Sequence, residues 1–306
     1  MRKIIGIGET ILDILFRDGQ PEFAVPGGSV YNGIISLGRM GMDVTFISET
    51  GNDRVGRMIL EYMRENGVNT DHVNVFHDGK SPVSLAFLNE KNDAEYIFYK
   101  DYPRQRLDVV MPKINRDDIL IMSSYFAVSP LLRDKVKELL DYAKECGAII
   151  YYDVNFRKSH SDEAIKLMPT VIENFEYADI LRGSTEDFRN LFNIDEPDKV
   201  YSGKVGFYCR NFICTDAEKD IHLYSDKLRK TYQVEPIETV STIGAGDNFN
   251  AGILYGLISN NILKDDLPSL SEGDWDKIIR CGMDFSANVC QSVQNSVSKE
   301  FAASYR

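Results

Sequence analysis

The chain has 306 residues and carries 47 Asp and Glu against 35 Lys and Arg, a formal net charge of −12 at pH 7. Hydrophobic residues make up 43% and charged residues 27%, the balance of a soluble globular protein of one large α/β domain or two smaller ones. The acidic balance argues against nucleic acid or an anionic membrane as the main partner, while leaving room for a local basic pocket for a small anion.

Met1-Arg2-Lys3 leads straight into Ile4-Ile5-Gly6-Ile7-Gly8, a buried-strand pattern too short for a signal peptide. No apolar run approaches the ~18 residues that span a bilayer, so a cytoplasmic protein is expected. Residues 4–7 read as a strand. Residues 11–25, with Leu12, Ile14 and Phe16 spaced by two, break the α/β pattern that follows. A helix with Val30, Ile34 and Leu37 comes after Gly27-Gly28-Ser29, then a strand at 44–47 and a helix over Arg54–Glu65. Two apolar runs within 83–98 flank a polar turn at 89–93 and predict a β-hairpin. A strand at 119–122, a helix marked by Leu132, Val136, Leu139, Leu140 and Ala143, and a strand at 148–153 resume the alternation. Such alternation predicts a mostly parallel sheet wrapped by helices. The two strand-rich stretches predict a small sheet beside it, serving as a lid. One domain over 1–306, with a lid from about 11–25 and 83–106, fits better than two independent domains.

Strand-like Glu238-Thr239-Val240 runs into Ser241-Thr242-Ile243-Gly244-Ala245-Gly246-Asp247, and then into an amphipathic run of Phe249, Ile253, Leu254, Leu257 and Ile258. A glycine-rich turn thus opens a helix with one carboxylate in its first turn. Free N–H groups and the positive end of the helix dipole make such a place a phosphate site, and the Asp beside it can take a proton from an attacking hydroxyl. The turn is not a Walker loop, since no Gly-Lys-Ser/Thr follows. It is not a dinucleotide fingerprint either, since Phe249 occupies the third glycine position.

Three further groups each have two readings. Gly27-Gly28-Ser29 is either a loop with a Ser29 N-cap or a pair of glycines that lets backbone approach a ligand, with Asn32 one turn into the helix to meet its hydroxyls. Asp13 is either a solvated loop acid or an acceptor for vicinal hydroxyls. Asp153-Val154-Asn155-Phe156-Arg157 ends a strand, where open α/β sheets collect ligands, or simply forms a turn. The five cysteines lack C-x-x-C spacing and the four histidines lack metal-ligand spacing, so neither set predicts a metal site.

Together these motifs resemble the ribokinase-like, or PfkB, carbohydrate kinases. Gly27-Gly28 with Asn32, continuing to Leu37-Gly38-Arg39-Met40-Gly41, resembles the first family signature. Gly51-Asn52-Asp53-Arg54-Val55-Gly56 resembles a G-x-D-x-x-G segment, and Thr242-Ile243-Gly244-Ala245-Gly246-Asp247 resembles the second signature. The resemblance implies an α/β three-layer sandwich with a central, mostly parallel sheet and a small β-lid. It implies Asp247 as general base, the N–H groups of Gly244, Ala245 and Gly246 as anion hole, and Mg2+-ATP as donor. Asp13, Gly27, Gly28 and Asn32 would contact the sugar, and the lid would carry a homodimer interface.

Within the family the chain most resembles fructokinases: Tyr99 and Arg104 fall in or beside a lid segment like theirs, and Asn155 and Arg157 in a D-x-N-x-R. That motif is shared with 2-keto-3-deoxygluconate kinases, where the Arg meets a carboxylate, and Lys100, Arg104, Arg106 and Arg157 could serve an acidic sugar. A ribokinase is a further alternative. On the nucleotide side the resemblance points to Glu186 (indirectly, through Mg2+), Thr215 and Asn288. Ser241 replaces the Asp that usually begins the second signature, in a region that in some relatives contributes to a monovalent-cation site, so that ion is not carried over. Thr215-Asp216-Ala217-Glu218-Lys219-Asp220 lacks both usual glycines and sets acids near the triphosphate. This keeps open a sugar-binding regulatory protein with weakened transfer. An NAD-dependent oxidoreductase, without a fingerprint, is the third reading.

Overall fold

The computed structural model describes residues 2–88, 94–217 and 219–305. Its strands are β1 (Lys3–Ile7), β2 (Ile11–Arg17), β3 (Gln20–Gly27), β4 (Asp43–Gly51), β5 (Val68–Asn69), β6 (Val73–Phe76), β7 (Lys80–Leu88), β8 (Ala94–Asp101), β9 (Ile119–Ser123), β10 (Ile149–Asp153), β11 (Ile180–Ser184), β12 (Asn211–Asp216), β13 (Asp220–Tyr224) and β14 (Arg229–Gln233). Its α-helices are α1 (Ser29–Arg39), α2 (Arg54–Glu65), α3 (Ser124–Val128), α4 (Arg133–Cys146), α5 (Ala164–Tyr177), α6 (Thr185–Phe192), α7 (Pro197–Val200), α8 (Ala245–Ser259), α9 (Glu272–Cys290) and α10 (Lys299–Ser304). No helix among the described residues is long and apolar enough to cross a membrane.

The large sheet runs β14-β13-β12-β11-β10-β9-β1-β4-β5, with β6 beside the far half of β4. It is parallel from β12 to β5, and β13 and β14 return antiparallel at one edge. Neighbouring residues on one strand serve opposite faces. Ile4, Ile119, Ile121, Ile149 and Tyr151 pack with α1, α2, α8 and α9 in one core. Ile5, Leu120, Met122, Ile150 and Tyr152 pack with α4, α5 and α6 in the other. These near-continuous apolar strands are what a parallel sheet buried on both faces requires, and the result is a three-layer α/β/α body.

A second sheet, β3-β2-β7-β8, stands apart. Its two hairpins join through parallel pairing of β2 with β7, Leu12 opposite Val83 through Arg17 opposite Leu88. The strands cover 11–27 and 80–101, so the sequence bounds of 11–25 and 83–106 need shifting. Beyond Asp101 the chain leaves the sheet because Tyr102 and Arg106 are drawn to Glu9 and Glu49 of the body. The expected turn at 89–93 lies outside the described residues.

Three other expectations are corrected. Residues 238–240 are exposed and form no strand; the Val240 N–H goes to the Cys290 carbonyl instead (2.8 Å). Ser29 is not an N-cap: Gly28 is, at φ 138°, and Ser29 is the first helical residue. The helix after the glycine turn, α8, is not amphipathic in use. Asn248 to Leu254, Gly256 and Leu257 are all buried because α1 and α9 both pack on it. Glycines permit that closeness. A Cβ on Gly252 would lie 2.2 Å from the Cys281 carbonyl oxygen of α9.

Gly252→Ala is therefore expected to destabilise the fold by about 1–3 kcal/mol through forced separation of α8 and α9. Gly273→Ala, whose nearest neighbour is the Ser271 Oγ at 3.9 Å, is expected to be neutral or stabilising. Equilibrium urea unfolding compares the two, and equal stabilities would contradict the packing account.

Candidate active site

Two glycine turns meet at the opening of α1 and α8. Gly27 leaves space for Asp13: a Cβ there would stand 2.4 Å from the Asp13 Oδ2. Gly28 takes φ 138°, and a Cβ would strike the Glu9 carbonyl oxygen at 2.2 Å. Gly244 takes φ 79° as the N-cap of α8. The segment at 295–297 braces both turns. Asn295 donates to the Pro26 carbonyl (3.2 Å), its own carbonyl accepts from Asn248 (2.9 Å), and the Val297 N–H donates to Ser36 (3.0 Å).

This frame brings Asn32 to Asp247, with the Asn32 amide nitrogen 2.8 Å from the Asp247 Oδ2. The Asn32 Oδ1 is buried and has no partner among the described residues. The N–H groups of Gly244, Gly246 and Asp247 likewise meet no acceptor among those residues, whereas the Ala245 N–H donates to the Thr242 carbonyl (3.2 Å). Ala245 is thus the expected anion-hole donor already engaged within its own turn. Asp247 keeps part of its surface open to the cleft, but protein encloses it on most sides. Burial pushes its carboxyl up to about 7; the Asp153 charge adds to this, and the Asn32 bond, Arg157 and Arg182 oppose it.

The small sheet covers this place. Asp13 and Leu15 of β2 share a face with Val25, Ser84, Ala86, Tyr96 and Phe98 by cross-strand register. Leu15, Val25 and Ala86 form its core, and Ile243 of the glycine turn packs against it. Asp13 accepts from Ser84. Burial pushes the Asp13 carboxyl up to about 6, against the pull of Ser84 and Arg157. Tyr96 is raised by burial and feels Asp13, Arg157 and Asp247. The Arg157 guanidinium lies 5.8 Å from the Tyr96 ring centroid. Asn155 holds a left-handed turn (φ 37°) between Asp153 and Arg157.

Other expected residues fall elsewhere. Tyr99 is on the opposite face from Asp13, 59% exposed; strand alternation gives its expected position to Tyr96. Arg104 is exposed in the segment after β8 and meets no partner among the described residues. Lys100 pairs with Glu9 (2.8 Å), and Arg106 donates to the buried Glu49 (2.6 Å), so both cations are already matched to carboxylates. Asp53 of the G-x-D-x-x-G segment caps α2 and holds the Ser81 N–H (2.8 Å), rooting the small sheet on the body.

Beneath the turn, four adjacent strands each carry a polar side chain at or near their C-terminal ends: Ser123 and Asp153 as last residues, Arg182 two residues and Thr215 one residue before the end. Asp153 accepts from Arg182 Nη1 (3.0 Å), Ser123 (3.1 Å) and Asn250 (2.9 Å). Arg182 Nη2 donates to Thr215 (2.7 Å). Sequence reading missed Arg182, Asn250 and Asn295, because only strand register and helix packing bring them together.

The expected nucleotide residues have structural work of their own. Thr215 is held by Arg182, and Asn288 accepts from the Ser298 N–H (3.0 Å). Glu186 is exposed at the start of α6, while Asp187, one residue on, is buried in a capping box with Ser184. Asp216 is matched by Thr185 (2.9 Å) and Lys219 (3.3 Å), which relieves part of the expected repulsion; Glu218 lies outside the described residues.

The model of the pfkB family of carbohydrate kinases matches residues 3–300. A 5-dehydro-2-deoxygluconokinase of Geobacillus kaustophilus is 28% identical over 249 residues, 76% of this chain and 73% of the relative. Fructokinase-1 of Oryza sativa is 24% identical over 283 residues, 88% of this chain and 87% of the relative. The fold is similar to that of a Vibrio cholerae fructokinase crystallised with fructose, ADP and calcium, at a TM-score of 0.83 and 18% identity over 98% of this chain and 96% of that one. With its sequence matched over nearly its whole length, the protein belongs to the pfkB family of carbohydrate kinases and is a phosphotransferase acting on a sugar hydroxyl.

Proposed function

We propose that the chain transfers the γ-phosphoryl group of ATP to a sugar hydroxyl, with fructose the preferred acceptor and Asp247 the general base. The observation that carries this reading is the pairing of Asp247 with Asn32 at a helix start whose N–H groups have no acceptor among the described residues. The unpartnered Asn32 Oδ1 accepts from a substrate hydroxyl, since a buried acceptor left unmatched is costly. Gly27 and Gly28 admit the sugar, and Asp13 accepts from its other hydroxyls. Asp247 takes the proton of the attacking hydroxyl as its oxygen bonds to the γ-phosphorus; the bond from that phosphorus to the bridging oxygen breaks, and ADP leaves. The Gly244, Gly246 and Asp247 N–H groups hold the transferring charge.

Among the described residues no group of three or more His, Cys, Asp or Glu could hold a metal ion. A Mg2+ carried by nucleotide phosphates calls for only one or two protein carboxylates. Exposed Glu186 is the carboxylate assigned to the hydrated ion, which when bound would neutralise phosphate charge.

A neutral sugar is favoured by the matching of Lys100 and Arg106 with Glu9 and Glu49. A sugar acid is the second reading. Arg157 beside Tyr96 has no carboxylate partner among the described residues, and the Geobacillus kaustophilus relative is named for an acidic sugar. The outer face of the small sheet, with Phe16 stacked on Phe87 and with Ile97 and Tyr99 exposed, is proposed as the homodimer interface.

Coupled ADP release is expected with fructose above ribose and 2-keto-3-deoxygluconate. Asp247→Asn is expected to lower kcat roughly 10²–10⁴-fold. Sugar binding without ADP release would favour a binding protein instead. Because the base must be ionised, kcat/KM is expected to rise about tenfold per pH unit in acid and to level off above about pH 7, following Asp247. A profile flat through neutrality would remove Asp247 from that role. Tyr99→Glu is expected to halve the mass seen by light scattering, and an unchanged mass would reject this interface.

A further inference from the structure

Arg182 is a long cation buried with 8% of its surface exposed, directly under the glycine turn. A Cβ on Gly246 would lie 3.2 Å from both its Nη1 and its Nη2 and 3.5 Å from its Cζ, so the Nη edge of the guanidinium stands directly against the second residue of α8. The same group grips Asp153 at the end of β10 and Thr215 near the end of β12. Its Nε is buried and has no partner among the described residues. A guanidinium is a rigid fork, so fixing two of its corners fixes the third. Asp153 leads through Asn155 to Arg157 on the acceptor side, and Thr215 belongs to the hairpin on the nucleotide side. Asp153 and Asp187 are both buried beside the guanidinium. Without Arg182 their negative charge would face a phosphate arriving on the turn.

We propose that Arg182 is a positioning residue for phosphoryl transfer: its guanidinium holds Gly246 at the height the transferring group needs and locks that height to Asp153 and Thr215. This rests on the kinase reading above. Transfer depends on placing the phosphoryl group and the hydroxyl in line, so a small loss of register acts on turnover rather than on sugar affinity.

Arg182→Lys keeps the charge but cannot hold Asp153 and Thr215 as a fork. With fructose, ATP and Mg2+, it is expected to melt close to the wild-type temperature, to keep the sugar KM, and to lose kcat by about 10²-fold. Arg182→Met combined with Asp153→Asn removes both charges of the ion pair, and the remaining buried carboxylate, Asp187, keeps its bonds from the Ser184 N–H and hydroxyl, so the variant is expected to fold and to show a loss at least as large. A wild-type protein that turns over no sugar would defeat the kinase reading itself. Active wild type with Arg182→Lys at wild-type kcat, or with only its KM raised, would overturn the role of Arg182, as would a folded double variant of wild-type kcat.

Discussion

The contact between Asp153 and Arg182 is the constraint on which the site is built. An ion pair this deep is rarely a source of net stability, because both charges must leave water; removing one partner, however, commonly costs about 3–5 kcal/mol. Here the desolvation cost is offset by a set of neutral donors and acceptors. Ser123 and Asn250 share the Asp153 carboxylate, Tyr151 holds Asn250 (2.8 Å), and Thr215 takes the other arm of the guanidinium. These residues come from strands and a helix far apart in sequence, so the pair also fixes how α8 stands on the sheet edge. The height of α8 in turn sets where the N–H groups and Asp247 point.

Above that floor, chemistry and cover are linked by a few side chains. Asn32 reaches Asp247 because Gly33 lets α1 come close: a Cβ there would be 2.9 Å from the Asp247 carbonyl oxygen. Ile243 touches the core of the small sheet, and Asp13 projects from that sheet toward the same cleft. Glu9 and Glu49 draw the end of the β7–β8 hairpin back to the body through Tyr102, Lys100 and Arg106. Burial within this frame is the largest cause of the raised proton affinity of both Asp13 and Asp247.

Much of this was legible in the sequence where backbone geometry leaves one solution. Gly28 at φ 138° and Gly244 at φ 79° are positions that side chains rarely tolerate, so their clusters announced themselves. The helix over Arg54–Glu65 was readable from its apolar spacing. Errors came from phase and from distance. Strand alternation puts Tyr99 on the face opposite Asp13 and Tyr96 on the same face as Asp13, a phase the sequence reading did not follow. Arg182 was invisible because its partners, Asp153 and Thr215, lie 29 and 33 residues away and meet it only through strand register. The matching of Arg106 with Glu49 was hidden for the same reason.

The central claim is that Asp247 and the N–H groups around it face one reacting centre, with the sugar on the Asp13 side. A crystal structure with fructose, ADP and aluminium fluoride tests this directly. The account expects an acceptor hydroxyl about 2.6–3.2 Å from the Asp247 carboxylate, another hydroxyl on the Asn32 Oδ1, and fluorine atoms on the Gly244 and Gly246 N–H groups. A sugar whose nearest hydroxyl points away from Asp247, or a metal fluoride bound off the glycine turn, would contradict it.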